Sequence, residues 1–276
     1  MSRPPRPIRH TRSNMHLTPL LFVLSVLSVL ASTQAKVLPP SYEDVDALLV
    51  GSAEDIQRGF DILKDLERNC PGPLPLELKW RLAFAHCQLA EVRGDQGRDN
   101  DREALARIAL KYGEDALKED ENDPDVAVWY AASLGLVGEY SSVKERIRGG
   151  FIFKENIDRA VQQRPRDPFL HYLLGRWQFG TSQLSWFERK AAAALFAAPP
   201  QGDLDQALDE FTAAHREKPD WRANLLFLAK VFIEKGDYAT AIRHLDRAAE
   251  LPVITAEDGR VSNEIDNLQY KYSGYR

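Results

Sequence analysis

Cysteine and methionine are scarce in this 276-residue chain, two of each, and no acidic residue precedes Glu43. Two cysteines cannot build the disulfide framework that staples small secreted domains. Cys87 falls between Phe84 and Leu89 on a predicted helix and reads as core, while Cys70 precedes the turn Pro71-Gly-Pro73. A free pair is the expectation for a cytosolic chain, and an exported body would allow the two to pair. No Cys-x-x-Cys occurs, and none of the six histidines stands four residues from another, so zinc-ligand spacing is missing. There is no glycine-rich phosphate loop, since Gly149-Gly150 stands alone, and no Gly-x-Ser-x-Gly. His171 with Glu188 and Arg189 offers acid and base groups, but His171 opens a helix where an aromatic residue packs. The expectation is therefore no catalytic residue, no metal and no cofactor. No alternating apolar and polar run of useful length appears either, which predicts an all-α chain.

What the chain does have is a helical repeat. Leu225, Leu228, Ala229, Phe232, Gly236, Tyr238, Ala241, Leu245, Ala248 and Pro252 have the spacing of a tetratricopeptide unit of about 34 residues. Leu225, Leu228 and Phe232 form one apolar stripe. Ala229, Ala241 and Ala248 are small where two helices approach closely. Gly236 accepts the left-handed backbone that ends the first helix, and Pro252 stops the second. Ala207, Phe211, Ala214 and Pro219 repeat the second half one unit earlier. Trp129, Ala132 and Ser133 begin a more degenerate unit, Tyr172, Leu174 and Gly175 another. Further helices are predicted over 42–68, 75–93 and 101–118. The expected architecture is a tetratricopeptide-like right-handed superhelix of about four antiparallel helix pairs, each burying its face against its neighbours.

One stretch does not fit a plain repeat. After Gly175 the helix is expected to run on through Trp177, Phe179, Leu184, Trp186 and Phe187 to Phe196, until Pro199-Pro200 breaks it. This amounts to a helix inserted within a repeat. His171-Tyr-Leu-Leu-Gly-Arg-Trp177, Leu184-Ser-Trp186, Glu188-Arg-Lys190, Leu195-Phe196, Pro199-Pro200, Leu228-Ala-Lys230, Leu251-Pro-Val253 and Glu257-Asp258 resemble the regulator of microtubule dynamics family. The resemblance covers roughly residue 42 to the C-terminus and is strongest over 165–258. It implies a non-catalytic tetratricopeptide-like domain associated with microtubules and spindle poles, hence a cytoplasmic and cytoskeletal location. The implied partners are microtubules or a microtubule-associated protein.

Charge is unevenly spread. The net charge is −5, and the first 36 residues carry five basic and no acidic groups, so the remaining 240 carry −10. An acidic body argues against nucleic-acid partners and against simple electrostatic coating of an acidic microtubule. One segment, 144–176, is locally basic at +4. Lys144, Arg146, Arg148, Lys154, Arg159 and Arg176, with Trp177, Trp186, Arg189 and Lys190 of the inserted region, are the candidate partner-binding residues. A solvated face with internal ion pairs is the plainer reading of the same charges. Trp129, Trp177, Trp186 and Trp221 are expected mostly in the core.

Residues 1–36 read as an N-terminal targeting or membrane-anchor segment: a basic start, the short apolar stretch 17–31, and Thr33-Gln-Ala35 before Lys36. Secretory and mitochondrial targeting are both compatible with it, in tension with a cytoplasmic role. The expected organisation is this segment, a repeat domain over 42–258, and a C-terminal tail over 259–276. A second functional reading is a lipid-binding or tethering protein at organelle membranes. In that case Trp177, Phe179, Trp186, Phe187, Leu195 and Phe196 would wall an apolar pocket.

Overall fold

A computed structural model describes residues 41–195 and 202–276 of the chain. The predicted N-terminal segment, the side chain of Leu195, Phe196 and Pro199-Pro200 lie outside the described residues. These residues contain twelve α-helices and no strand, so the chain is all-α. None of these helices is long and apolar enough to cross a membrane.

The first two helices, α1 (Tyr42–Leu49) and α2 (Ala53–Arg68), occupy a stretch predicted as one helix. Ser52 separates them. Its hydroxyl accepts from the Asp55 amide at 3.2 Å while the Asp55 carboxylate accepts from the Ser52 amide at 3.1 Å. This reciprocal capping box satisfies amides that a continuing helix would leave to the preceding turn.

Four helix pairs follow: α3 (Leu76–Asp95) with α4 (Asp99–Leu117), α5 (Pro124–Gly138) with α6 (Val143–Gln163), α7 (Pro168–Ser182) with α9 (Leu204–Glu217), and α10 (Arg222–Glu234) with α11 (Tyr238–Glu250). Their stacking is tetratricopeptide-like. In the last pair Leu225, Ala229, Ala241, Leu245 and Ala248 are buried as the repeat predicts. Gly236 has φ 78°, the left-handed conformation required after α10, and the Asp237 amide reaches back to the Phe232 carbonyl at 2.9 Å. Aromatic rings connect successive units along the α3, α5, α7 and α10 side. Phe84 stacks on Trp129 at 3.7 Å, Trp129 meets Phe169 at 5.8 Å, and Tyr172 meets Trp221 at 4.4 Å.

The inserted helix exists, but α7 does not run on into it. α7 ends at Ser182, and α8 (Trp186–Leu195) is a separate helix packed against α6. Ser185 and Glu188 form another capping box: the Ser185 amide donates to Glu188 Oε2 at 2.9 Å, and the Glu188 amide to Ser185 Oγ at 3.3 Å. The Ser-x-x-Glu spacing inside the Leu184–Lys190 motif is therefore a helix start, which apolar periodicity alone overlooks.

The segment predicted as a tail is ordered structure. α12 (Ala256–Lys271) and a short 3-10 turn (Ser273–Tyr275) occupy most of it, and Ile265 is fully buried against the last pair. The approach to α12 crosses back to the first helices. The Ala256 amide donates to the Gly51 carbonyl at 3.0 Å, and Ala256 packs against the cluster of Ile56, Leu89 and Val92. Arg260 pairs with Asp95 at 2.9 Å and with Glu91 at 3.3 Å. This strap joins the last repeat to the first.

Candidate functional site

The helix pairs and the strap line a half-open cavity of about 410 Å³. Its wall comes from α3 (Cys87, Gln88, Glu91), α5 (Trp129, Ala132, Gly135), α6 (Arg146, Gly150, Phe153), α7 (Phe169, Tyr172, Arg176, Trp177) and α12 (Glu257, Arg260), with Arg102 and Glu139 at one end. Helical spacing places these groups together. Residues 169, 172, 173 and 176 share one face of α7, and the Trp177 indole Nε1–H donates to the Gly150 carbonyl at 2.8 Å.

Most charges in the cavity neutralise one another. Arg102 donates to Glu91 and to Glu139, both at 3.0 Å, and these carboxylates hold its guanidinium far above any accessible pH in its charged form. Glu91 also takes Arg260, and Glu257 accepts from the Trp221 indole at 2.8 Å. Arg176 is different. It makes no ion pair among the described residues. Its guanidinium sits 5.7 Å from the Tyr172 ring centroid and 5.2 Å from that of Phe227, with a hydrogen bond to the Tyr172 hydroxyl. The side chain is exposed at the cavity wall, where the carboxylates of Glu257 and Glu91 also act on its charge.

The ten sequence candidates are not gathered on one face. Arg146, Arg176 and Trp177 line the cavity. Lys154 pairs with Asp158 and lies 5.4 Å over the Trp177 ring. Arg159 donates to Asn156 at 2.7 Å and reaches Glu121 at 4.0 Å. Arg146 also holds Glu188 at 2.6 Å, tying α8 to α6. Lys144 and Arg148 are exposed on α6, without an ion pair among the described residues. On α8, Trp186 is 68% exposed, Lys190 lies 5.2 Å over its ring, and Arg189 donates to the Leu184 carbonyl. Trp186 is thus not core, whereas Trp221 is. Nor do the aromatic residues proposed to wall an apolar pocket converge. Trp177 faces the mixed cavity, Phe179 packs into the last core cluster, and Phe187 is 65% exposed.

His171 serves structure. Its Nδ1 lies 2.6 Å from Glu210 Oε2 and its Nε2 3.0 Å from the Pro165 carbonyl. Burial alone would lower its pKa, but these two acceptors outweigh it and raise the value above the ordinary range. Cys87 is buried, which pushes its thiol far up, and both cysteines are free. Sequence reasoning does not single out Glu91, Arg102 or Arg260, and it names Glu257 only as part of the family resemblance and not as a site residue. They meet through pairs as distant in the chain as Glu91 and Arg260, and no local pattern signals such an encounter.

An all-helical array of tetratricopeptide-like pairs around a mixed cavity is the build of a helical-repeat scaffold. The chain belongs to the regulator of microtubule dynamics family: the family described as Regulator of microtubule dynamics protein 1-3 matches residues 41–273. Regulator of microtubule dynamics protein 3 of Rattus norvegicus is 32% identical over 228 residues, 82% of this chain and 47% of that protein. Protein 1 of Bos taurus is 31% identical over 198 residues, 71% of this chain and 62% of that one. The chain thus spans about half the length of relatives such as the rat protein. Among solved structures, a thermophilic TPR protein of Thermus thermophilus overlays with a TM-score of 0.48 at 15% identity, covering 80% of this chain and 91% of that one.

Proposed function

We propose that the chain is a non-catalytic helical-repeat scaffold that associates with microtubules, directly or through a microtubule-associated protein, and regulates their dynamics. The observation that carries this reading is the family match over 41–273, whose relatives are named as regulators of microtubule dynamics. The electrostatics limit how contact is made. A body of charge −10 is repelled by an acidic polymer surface, so attraction has to come from local positive groups. The cavity wall and the exposed end of α8 supply them through Arg176, Arg189 and Lys190. On this reading the repeat domain acts in the cytoplasm, on the cytoskeleton and at spindle poles.

The test is co-pelleting of the full-length chain with taxol-stabilised microtubules, alongside growth and shrinkage rates of dynamic microtubules. The expected result is saturable pelleting and altered rates, in pure form or after addition of a cytosolic extract. A chain that stays in the supernatant and leaves both rates unchanged under both conditions overturns the proposal. A C-terminal tag that is protected from protease in isolated membranes would overturn the cytoplasmic assignment.

A further inference from the structure

We propose that the strap is a latch. The helical array opens where α12 meets the first helices, while α12 stays on the last pair, and the molecule thereby alternates between a closed ring and an open superhelix. The latch controls access to the cavity and does not depend on the microtubule reading.

The two joints of α12 are unequal. On the last pair it is anchored by an apolar core. Ile265 is fully buried there, and Val261, Leu268 and Tyr272 pack around it. Polar contacts add to this hold. Glu257 accepts from the Trp221 indole at 2.8 Å, Lys230 donates to Glu264 at 2.7 Å, and Gln269 donates to Asp246 at 2.7 Å. The joint with the first helices rests on Ala256 and Arg260. Ala256 offers one methyl group to the cluster of Ile56, Leu89 and Val92, and one amide to the Gly51 carbonyl. Arg260 supplies the ion pairs with Asp95 and Glu91, and none of these three side chains is fully buried. Partly exposed pairs of this kind hold weakly, and a contact with little buried apolar surface opens more readily than a core helix.

The repeat architecture makes this joint the place that opens. Each helix pair of such an array packs on its neighbours, and small rotations between pairs add up along it. The strap ties the far end of the array back to its start. It is reached through Pro252, Val253 and Ile254, which are exposed and lie outside the core clusters. Parting of Ala256 and Arg260 from the first helices also separates two walls of the cavity. Glu257 and Arg260 line it from α12, and Cys87, Gln88 and Glu91 line it from α3. A partner that binds the open form more tightly than the closed one shifts the population towards opening, by the difference between the two affinities.

The experiment is double electron–electron resonance on the full-length chain with Cys70→Ser, spin-labelled at Glu54→Cys on α2 and Asn267→Cys on α12. Both positions are exposed, and the remaining cysteine, Cys87, is buried. A second labelled pair, Arg243→Cys on α11 with Asn267→Cys, reports the joint that should stay shut. Far-UV circular dichroism and the thermal midpoint check folding of every variant. Salt is raised from about 0.1 M to about 1 M, which cuts the screening length from about 10 Å to about 3 Å. The expected result is a short distance between positions 54 and 267, with a minor longer component that grows several-fold with salt. Arg260→Gln removes the ionic half of the latch and Ala256→Gln the apolar half. Each should raise the longer component several-fold at low salt, while the distance between positions 243 and 267 stays the same. A distribution between 54 and 267 that neither salt nor the two substitutions change overturns the latch and makes the strap a fixed element of the fold. Lengthening between 243 and 267 overturns it too, because α12 would then be leaving the last pair instead.

Discussion

Arg260 and Asp95 stand 165 positions apart in the chain and meet through Arg260 Nε, 2.9 and 3.1 Å from the two carboxylate oxygens. The contact fastens the strap to the first full helix pair, beside the Ala256 to Gly51 backbone bond. Both side chains keep about a third of their surface, so the pair is worth on the order of 1 kcal/mol. Arg260→Ala also removes one of the two cations on Glu91 and leaves Arg102 in place. The variant should stay folded, with a thermal midpoint lowered by a few degrees, while the Ala256 amide exchanges with solvent roughly tenfold faster. Unchanged exchange at Ala256 would mean that apolar packing against Ile56, Leu89 and Val92 holds the strap alone.

Gly175, inside the His171–Trp177 motif, faces the ring of Phe211. A Cβ at position 175 would lie 2.7 Å from two ring carbons, and Phe211 is fully buried with no room to retreat. Gly175→Ala should therefore cost about 1–3 kcal/mol in chemical denaturation, against the gain in helix propensity that alanine normally brings. Phe211→Leu shortens the opposing ring and should recover part of that loss. A double-mutant cycle with no coupling between the two positions would refute the close approach.

Two histidines give stability opposite dependences on pH. His86 is buried, with Nδ1 2.7 Å from the Leu82 carbonyl and with Lys64, Glu67 and Tyr112 around it. Burial lowers its pKa to about 4, below the unfolded value near 6.5. The unfolded chain thus binds the proton first, and stability falls as pH drops from about 6.5 towards 4, by up to ~3 kcal/mol. His86→Gln should flatten that decline. His171 runs the other way. Burial acts to lower its pKa, but Glu210 and Pro165 raise it overall. Its contribution is full below about 6.5 and is lost as pH rises through the raised value. The stability difference between wild type and His171→Gln should accordingly shrink between pH 6 and pH 8. A difference that grows over this range would mean the imidazole is not held as a cation.

The parts of this fold legible in the sequence are those written in local spacing. Leu225 to Ala248 disclose the last pair because small and large apolar residues recur at helical intervals, and Gly236 discloses its turn. The breaks at Ser52 and Ser185 are equally local, but they sit in sequence whose apolar period continues across them, and there the period misleads while the capping box decides. The C-terminal helix reads as a tail because its apolar stripe is thin, with Ile265 its one fully buried residue. The cavity is half legible. Arg176 and Trp177 can be picked from the irregular segment, but not the acids that neutralise the cations around Arg176. Glu91, Glu139 and Glu257 reach the site from three separate parts of the chain.

The inserted helix α8 presents Trp186 and Phe187 to solvent, 68% and 65% exposed, next to Arg189 and Lys190. Side chains so exposed contribute little to folding, and the cation over the Trp186 ring adds little at such a site. The helix itself is secured by other groups: the Ser185 to Glu188 capping box, the Arg146 to Glu188 ion pair, and the buried Ala192. Replacing both aromatic residues with alanine should therefore leave stability within about 0.5 kcal/mol of wild type, measured by thermal and denaturant unfolding. If α8 contributes to microtubule association, the same variant should pellet several-fold less with microtubules than wild type does. Full pelleting by a normally folded variant would remove α8 from the binding surface and leave the Arg176 cavity as the remaining candidate. Loss of stability would instead show that the exposed rings pack against the repeat.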